Sequence, residues 1–196
     1  MLSRRSLLTA LGLTALAAPL RAALPPDIVP RVQRYLNGIR TLRADFTQLA
    51  PDGKTSTGRV YIKRPGRLRF EYDPPEDLLM VARDWRLVVY DGGADQTSTV
   101  PLDQTPLGLL LDDEIRLGGP VTIRSIAEIG GELHLTVFQT EEPARGELTL
   151  IFELAPLVLR RWEVLDAQGK RTRVILENLE TNVPLENRLF STADLG

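Results

Sequence analysis

Beyond residue 42 the apolar side chains of this chain fall at every second position, and that period dictates what it can fold into. The run Arg67-Leu68-Arg69-Phe70-Glu71-Tyr72 alternates without a break, with Leu68, Phe70 and Tyr72 on one face and charges on the other. Segments of the same kind cover 43–50, 57–64, 77–83, 85–91, 95–100, 121–128, 132–140, 146–153, 158–165 and 172–178. Turn formers separate them, among them Asp52-Gly53, Pro65-Gly66, Pro74-Pro75, Asp91-Gly92-Gly93, Gly130-Gly131 and Gly169. Strands joined this tightly predict one large antiparallel meander. A sheet of that many strands with one apolar face must curl or stack, because open sheets curve and edges aggregate. The expected fold is therefore mainly β with few helices, an incomplete antiparallel barrel (half-barrel) with its apolar face inward.

Only three segments break this period. Between Asp27 and Leu42, Ile28, Val32, Tyr35, Leu36, Ile39 and Leu42 recur at helical spacing, with Asp27 placed to cap and Pro30 in the first turn. The stretch 105–112, led by Pro106, reads as a second helical piece, and 184–189 as a helical turn. These are too few to cover the outside of the sheet. The economical arrangement puts the first helix and Pro106-Leu107-Gly108-Leu109-Leu110-Leu111 on the concave side as a plug.

The first 22 residues read as an export signal peptide: Arg4 and Arg5 form a basic start, 7–16 an apolar run too short to span a bilayer, and small residues up to Ala22 a cleavage region. Ser3-Arg4-Arg5-Ser6-Leu7-Leu8 also resembles a twin-arginine signal, so the export route stays open between that and general secretion. Residues 23–196 form one domain, expected in the periplasm. Without cysteine the chain cannot carry a lipobox anchor, thiolate zinc site, iron–sulfur cluster or disulfide, and one histidine, His134, excludes any site needing two imidazoles. Past residue 22 the chain has 21 cationic against 26 acidic side chains, net −5, which argues against nucleic acid and against lingering on an anionic membrane.

Chemistry is sparse. His134 alternates with Leu133 and Leu135 and points to the polar face; Asp112-Asp113-Glu114 lacks the glycine loop of a calcium site and reads as a charged helix end; Glu141-Glu142 reads as a solvated turn. No nucleophile elbow, phosphate loop or dinucleotide fingerprint occurs, so no enzyme and no cofactor are expected. Arg64 stands out. The parity that puts Val60 and Ile62 inward also puts Arg64 inward, where a cation requires acceptors such as helix-end carbonyls or a carboxylate. The alternative is that Pro65 breaks the strand and Arg64 turns to solvent or to Glu76.

The run Gly58-Arg-Val-Tyr-Ile-Lys-Arg-Pro-Gly-Arg-Leu-Arg-Phe70, preceded by Leu42-Arg-Ala-Asp-Phe-Thr-Gln48, resembles the LolA family of periplasmic carriers of outer-membrane lipoproteins. Trp85–Asp91, Thr105–Leu111 and Asn182–Phe190 follow in that family's order, so the resemblance spans the chain beyond the signal. It implies a half-barrel closed by lid helices over a hydrophobic cavity. By the same likeness Arg64 matches the arginine that holds the lid closed, Leu68 and Phe70 match inward aromatic positions, and Leu107, Leu110 and Leu111 match lid residues facing the cavity. The chain departs from the pattern in Leu68, which replaces an aromatic, in Gly108 inside the lid, and in stopping soon after Phe190.

The implied partners are acylated lipoproteins, an inner-membrane ABC-type lipoprotein-releasing transporter and an outer-membrane acceptor, served by a monomer. An acylated chain exposes dozens of methylenes at about 0.8 kcal/mol each, so it needs a portable apolar interior. Two rivals share the fold: a carrier of another lipid, such as a phospholipid or glycolipid, and a lipid-binding sensor, which would call for a second domain. A lipid hydrolase lacks a nucleophile–base pair, and an all-β protein whose leucines merely fill its core is the bland alternative.

Overall fold

The computed structural model describes residues 24–193, so the export-signal segment 1–22 lies outside the described residues. Helix α1 (Ile28–Gly38) is followed by eleven strands: β1 (Thr41–Leu49), β2 (Thr55–Lys63), β3 (Arg67–Tyr72), β4 (Leu78–Arg83), β5 (Arg86–Asp91), β6 (Gln96–Pro101), β7 (Val121–Ile129), β8 (Glu132–Gln139), β9 (Gly146–Leu154), β10 (Leu157–Asp166) and β11 (Arg171–Thr181). All belong to one antiparallel sheet ordered β6-β5-β4-β3-β2-β1-β11-β10-β9-β8-β7. The expectation of a single meander is corrected here. There are two, β1–β6 and β7–β11, and the first and last strands pair at the centre, Leu42 opposite Thr181 and Leu49 opposite Arg173. Strands β6 and β7 are left as the two edges, so the sheet is open.

Curvature follows from side-chain contacts. Phe70 on β3 and Trp162 on β10 are four strand positions apart, about 19 Å on a flat sheet at the usual strand spacing, yet their rings lie edge to face with centroids 6.3 Å apart. Register shifts insert an extra residue into β7, β10 and β11 against their neighbours, and such bulges bend strands and add twist. The inward set predicted by alternation is buried in one cluster, including Leu42, Phe46, Val60, Ile62, Leu68, Phe70, Leu135 and Leu150.

Helix α1 ends at Gly38, short of the predicted Leu42. Ile39 is already extended, and the Thr41–Lys63 pair opens the β1–β2 ladder, which takes the backbone groups a longer helix would use. Ile39 and Leu42 are buried all the same, so the helical spacing there reflects a shared core rather than a shared helix. Asp27 sits at the N-cap but makes no side-chain capping bond. Tyr35 fixes the helix over β9 and β10: its ring meets Phe152 edge-on at 5.9 Å, and its hydroxyl accepts the Leu159 amide at 3.0 Å.

The expected lid helix over 105–112 is corrected too. Residues Pro106–Leu110 make a five-residue 3-10 turn, preceded by another at Leu102–Gln104. Gly108 explains the tight path: a Cβ there would stand 2.6 Å from the Leu102 carbonyl oxygen. Gly58 plays the same part in the sheet, where a Cβ would fall 2.0 Å from the Glu71 carbonyl oxygen and 2.8 Å from the Phe46 ring. The predicted turn over 184–189 is a 3-10 turn at Asn187–Phe190, which buries Phe190. Because Gly58 lies opposite Phe46 and Tyr72 in two ladders, Gly58→Ala is expected to destabilise the domain by about 2 kcal/mol through overpacking, read as a lower midpoint in urea with an unchanged slope.

Candidate functional site

Strand β2 points Val60 and Ile62 inward and delivers Arg64 to the inner end of the sheet just past its last residue. The Arg64 amide still donates to the Arg40 carbonyl at 2.9 Å, extending the β1–β2 ladder by one step. The side chain is 7% exposed, the one buried charged side chain among the described residues. The inward reading from parity is therefore what the structure shows, and Glu76 pairs with Lys54 instead.

A guanidinium has five N–H donors, and each has an acceptor here. Nη1 donates to the carbonyls of Leu36 (2.7 Å) and Ile39 (3.1 Å). These belong to the end of α1, whose last carbonyls lack intrahelical partners and carry the negative end of the helix dipole. Nε donates to the Asp112 carbonyl (2.7 Å), and Nη2 to the Asp113 carbonyl (2.9 Å) and to Asn37 Oδ1 (3.1 Å). Arg64 thus ties α1 to the chain that crosses from β6 to β7, residues 102–120. Burial, reinforced by Arg40, lowers the guanidinium from its ordinary value, while Asp113 and Asp112 act the other way; it stays charged at neutral pH. Burial pushes the Asp112 carboxyl up, opposed by Arg64.

Sequence reading missed the neighbours that share this work. Asn37 Nδ2 donates to the Ile115 carbonyl (2.8 Å) and its Oδ1 accepts the Ile115 amide (2.9 Å). Gln33 Oε1 accepts the Leu117 amide (2.8 Å), and Arg40 reaches the Asp113 carbonyl and carboxylate (2.8 and 2.9 Å). Gln33, Asn37 and Arg40 recur three or four residues apart on and just past α1, the spacing of one helix face, and that is the signal that could have found them. The residues of Asp112-Asp113-Glu114 act through two main-chain carbonyls, which no side-chain pattern announces. Among the described residues no three His, Asp or Glu side chains come together as metal ligands.

The other predicted site residues converge on the same interior. Leu68 and Phe70 are buried on the inner face of β3, and Leu107, Leu110 and Leu111 are buried in the crossover, all in one cluster with Leu36, Ile39 and Trp162. Phe46 packs edge-on against Phe70 and Tyr72, with centroids 4.9 and 5.1 Å away. Burial raises the Tyr72 phenol to about 12, and its hydroxyl bonds Gln48 Oε1 at 3.0 Å. Beside Arg64 the void lined by Leu42, Ile62, Leu110 and Trp162 measures about 30 Å³, the share of one liquid water. A half-open cleft of about 250 Å³ lies between the crossover and β7–β9, bounded by Leu110, Ile115, Leu117, Val137 and Leu150. The crossover's own leucines take up much of the concave side, as the expected plug does, and beneath them the hydrophobic cavity implied by the resemblance is reduced to these spaces.

Comparison with known proteins places this arrangement. The chain is 31% identical over 169 residues to an outer-membrane lipoprotein carrier protein of Methylococcus capsulatus, covering 82% of this chain and 80% of that protein. It is 27% identical over 201 residues to a protein of the same description from Pseudomonas putida, covering 95% and 92%. Among solved structures, a DUF1329 family protein from Desulfovibrio piger superposes with a TM-score of 0.54 at 12% identity, covering 86% of this chain and 96% of that one, a likeness of fold alone. The model of the family described as outer membrane lipoprotein carrier protein LolA matches residues 37–193, from the Asn37 that braces the crossover to the end of the described chain, and the chain belongs to that family.

Proposed function

We propose that this protein is a periplasmic carrier that takes the acyl chains of lipoproteins into the interior of its half-barrel and moves them from the inner to the outer membrane. The observation that carries this reading is the Arg64 clasp: an apolar interior is covered by a crossover whose side chains face it and whose main chain is held by buried Arg64 together with Gln33, Asn37 and Arg40. Closure of that kind is reversible. No helix of the described chain is long and apolar enough to cross a membrane.

The energetics favour exchange of the crossover for cargo. Leu102, Leu107, Leu110, Leu111 and Ile115 are buried under the clasp. Exposing these five costs about 10 kcal/mol at roughly 2 kcal/mol each, and burying a methylene returns about 0.8 kcal/mol. Around twelve buried methylenes, roughly one acyl chain, balance the displacement before the Arg64 bonds are counted. A lipoprotein with several chains therefore opens the lid, whereas a short amphiphile does not. Opening breaks the Arg64 bonds and exposes both the crossover leucines and the apolar interior, so the open state stays high in energy when empty and the lid recloses as cargo leaves. That sets the affinity low enough for delivery to an outer-membrane acceptor after loading from an inner-membrane ABC-type transporter.

Residues 1–22 act in this reading as the export signal. Arg64 is the latch, Leu107, Leu110 and Leu111 are the lid, and Leu68 and Phe70 are floor positions that cargo covers. Removing the latch is expected to lower the stability of the closed state by about 2–3 kcal/mol while leaving loading intact. Arg64→Leu recovered from the periplasm should carry acylated lipoprotein, seen by native mass spectrometry with lipid extraction, and should fail to pass it to outer-membrane vesicles. Normal delivery by this variant would defeat the latch. A free phospholipid or glycolipid on wild type and variant alike would assign the interior to another lipid.

A second outcome concerns the crossover. A disulfide joining cysteines placed at Asn37 and Ile115, in place of the two bonds by which the Asn37 side chain holds the Ile115 main chain, should hold the lid down. The oxidised form is expected to load at least about ten-fold less lipoprotein than the reduced form, in line with loss of the acyl-burial energy; equal loading would show that cargo enters without moving the crossover.

A further inference from the structure

The β1–β6 end of the sheet nearest Arg64 breaks several local rules at once. Lys63 on β2 stands directly opposite Arg67 on β3, and Arg83 on β4 directly opposite Arg86 on β5. Like charges in cross-strand pairs are destabilising. The β3–β4 register, with Leu68 opposite Ala82, brings Arg67 level with Arg83. Since Leu68, Ala82 and Leu87 are buried inward, the four cations alternate with them and share the outer face. They form one row about 14 Å long across four adjacent strands.

Elsewhere most arginines meet a carboxylate, but among the described residues Lys63, Arg67 and Arg86 make no ion pair. Lys63 donates to the Leu185 carbonyl, which leaves its charge in place. Arg83 alone has a partner, Asp84 at 3.3 Å. At the tip of the β4–β5 hairpin, next to this row, Trp85 is 45% exposed. Asp84 and Trp85 both have positive φ, 50° and 58°. That is the turn geometry for which Asn-Gly is preferred, and a bulky aromatic is strained in it. The Trp85 indole rests on Gly66 of the β2–β3 turn, about 4 Å from where a Cβ would stand, but this contact leaves nearly half of it in solvent beside four aligned cations.

We propose that this end of the sheet docks on an anionic phospholipid surface, the cationic row against the headgroups and Trp85 at their level. Tryptophan prefers the membrane–water interface, and clustered Lys and Arg are drawn to anionic lipid. The chain's net charge opposes this only at long range, because at ordinary ionic strength charges more than about 10 Å away are screened and the nearest patch decides the contact. An acidic protein partner would also suit cations and a tryptophan, but the residues project from hairpin ends in a shallow row with no pocket lined by them among the described residues, which fits a headgroup layer better than a side-chain anchor. The two turns concerned also hold the crossover: the Leu102 amide donates to the Trp85 carbonyl at 2.9 Å, and the Gly66 amide to the Leu111 carbonyl at 2.8 Å. Docking therefore acts on both anchors of the buried crossover, although the docking itself does not depend on the carrier reading.

The test is co-sedimentation of empty protein, recovered from the periplasmic fraction, with vesicles of phosphatidylglycerol and phosphatidylcholine and with phosphatidylcholine alone. Binding is expected only to the anionic vesicles and to disappear near 1 M salt, where the Debye length falls to about 3 Å. Arg67→Glu with Arg86→Glu should weaken it at least about a hundred-fold, at about five-fold per unit of charge. Trp85 emission should shift to the blue on these vesicles and Trp85→Phe should abolish the shift, since Trp162 is 1% exposed and already emits from an apolar site. Trp85→Gly, which suits the turn, should bind vesicles less while melting no lower than wild type. Equal binding to neutral vesicles, undiminished binding by the charge-reversed variant, or capture of an acidic protein without any lipid binding would each overturn the proposal. Because no cargo is present, its failure leaves the lipoprotein-transfer result with Arg64→Leu untouched, and the reverse also holds.

Discussion

A buried guanidinium is stable only where each of its donors finds an acceptor, and in this fold the acceptors of Arg64 come from two elements distant in sequence. Leu36 and Ile39 belong to the end of α1; Asp112 and Asp113 belong to the crossover between the sheet edges. Neither partner is a formal counter-ion held against the guanidinium. The bonds are charge-assisted contacts to main-chain carbonyls at a helix end and in a non-repetitive loop, two of which, Leu36 and Asp113, accept a second donor as well. Arg64 is the one side chain that meets helix, crossover and β2 together, and the bonds of Gln33, Asn37 and Arg40 to the crossover reinforce its hold on the cover of the apolar concave face.

In the proposed carrier role, that dependence makes closure both specific and reversible. The leucines of the crossover supply burial energy without direction, and any apolar chain of similar extent can replace them. The Arg64, Asn37 and Gln33 bonds supply direction and only a modest net energy, because their groups are solvated once exposed.

Much of the fold was legible in the alternation of apolar residues. Ten turn-separated runs plus Arg67–Tyr72 correspond to the eleven strands, with ends shifted by a few residues, because a period of two has only one way to bury Leu68, Phe70, Leu135 and Leu150 together. Pairing was not legible. That β1 joins β11 depends on residues more than a hundred positions apart, and no local pattern in either strand names its neighbour. For the same reason two meanders were read as one. The helical spacing of Ile39 and Leu42 misled because burial in a common core, not membership of α1, was its cause, and the crossover was read as a helix because Leu107, Leu110 and Leu111 are buried on a 3-10 path that only Gly108 allows.

By itself the sequence determined a mainly β chain with an inward apolar face, no thiol or paired-imidazole chemistry, and an arginine whose strand parity aimed it inward. These depend on composition and on nearest-neighbour geometry, which the chain carries locally. Only the tertiary structure decided what Arg64 holds, since its acceptors are main-chain carbonyls that every residue possesses and that become a site only when folding brings them within about 3 Å. The same is true of the row Lys63, Arg67, Arg83 and Arg86: scattered along the chain they are ordinary charges, and strand register alone makes them one surface.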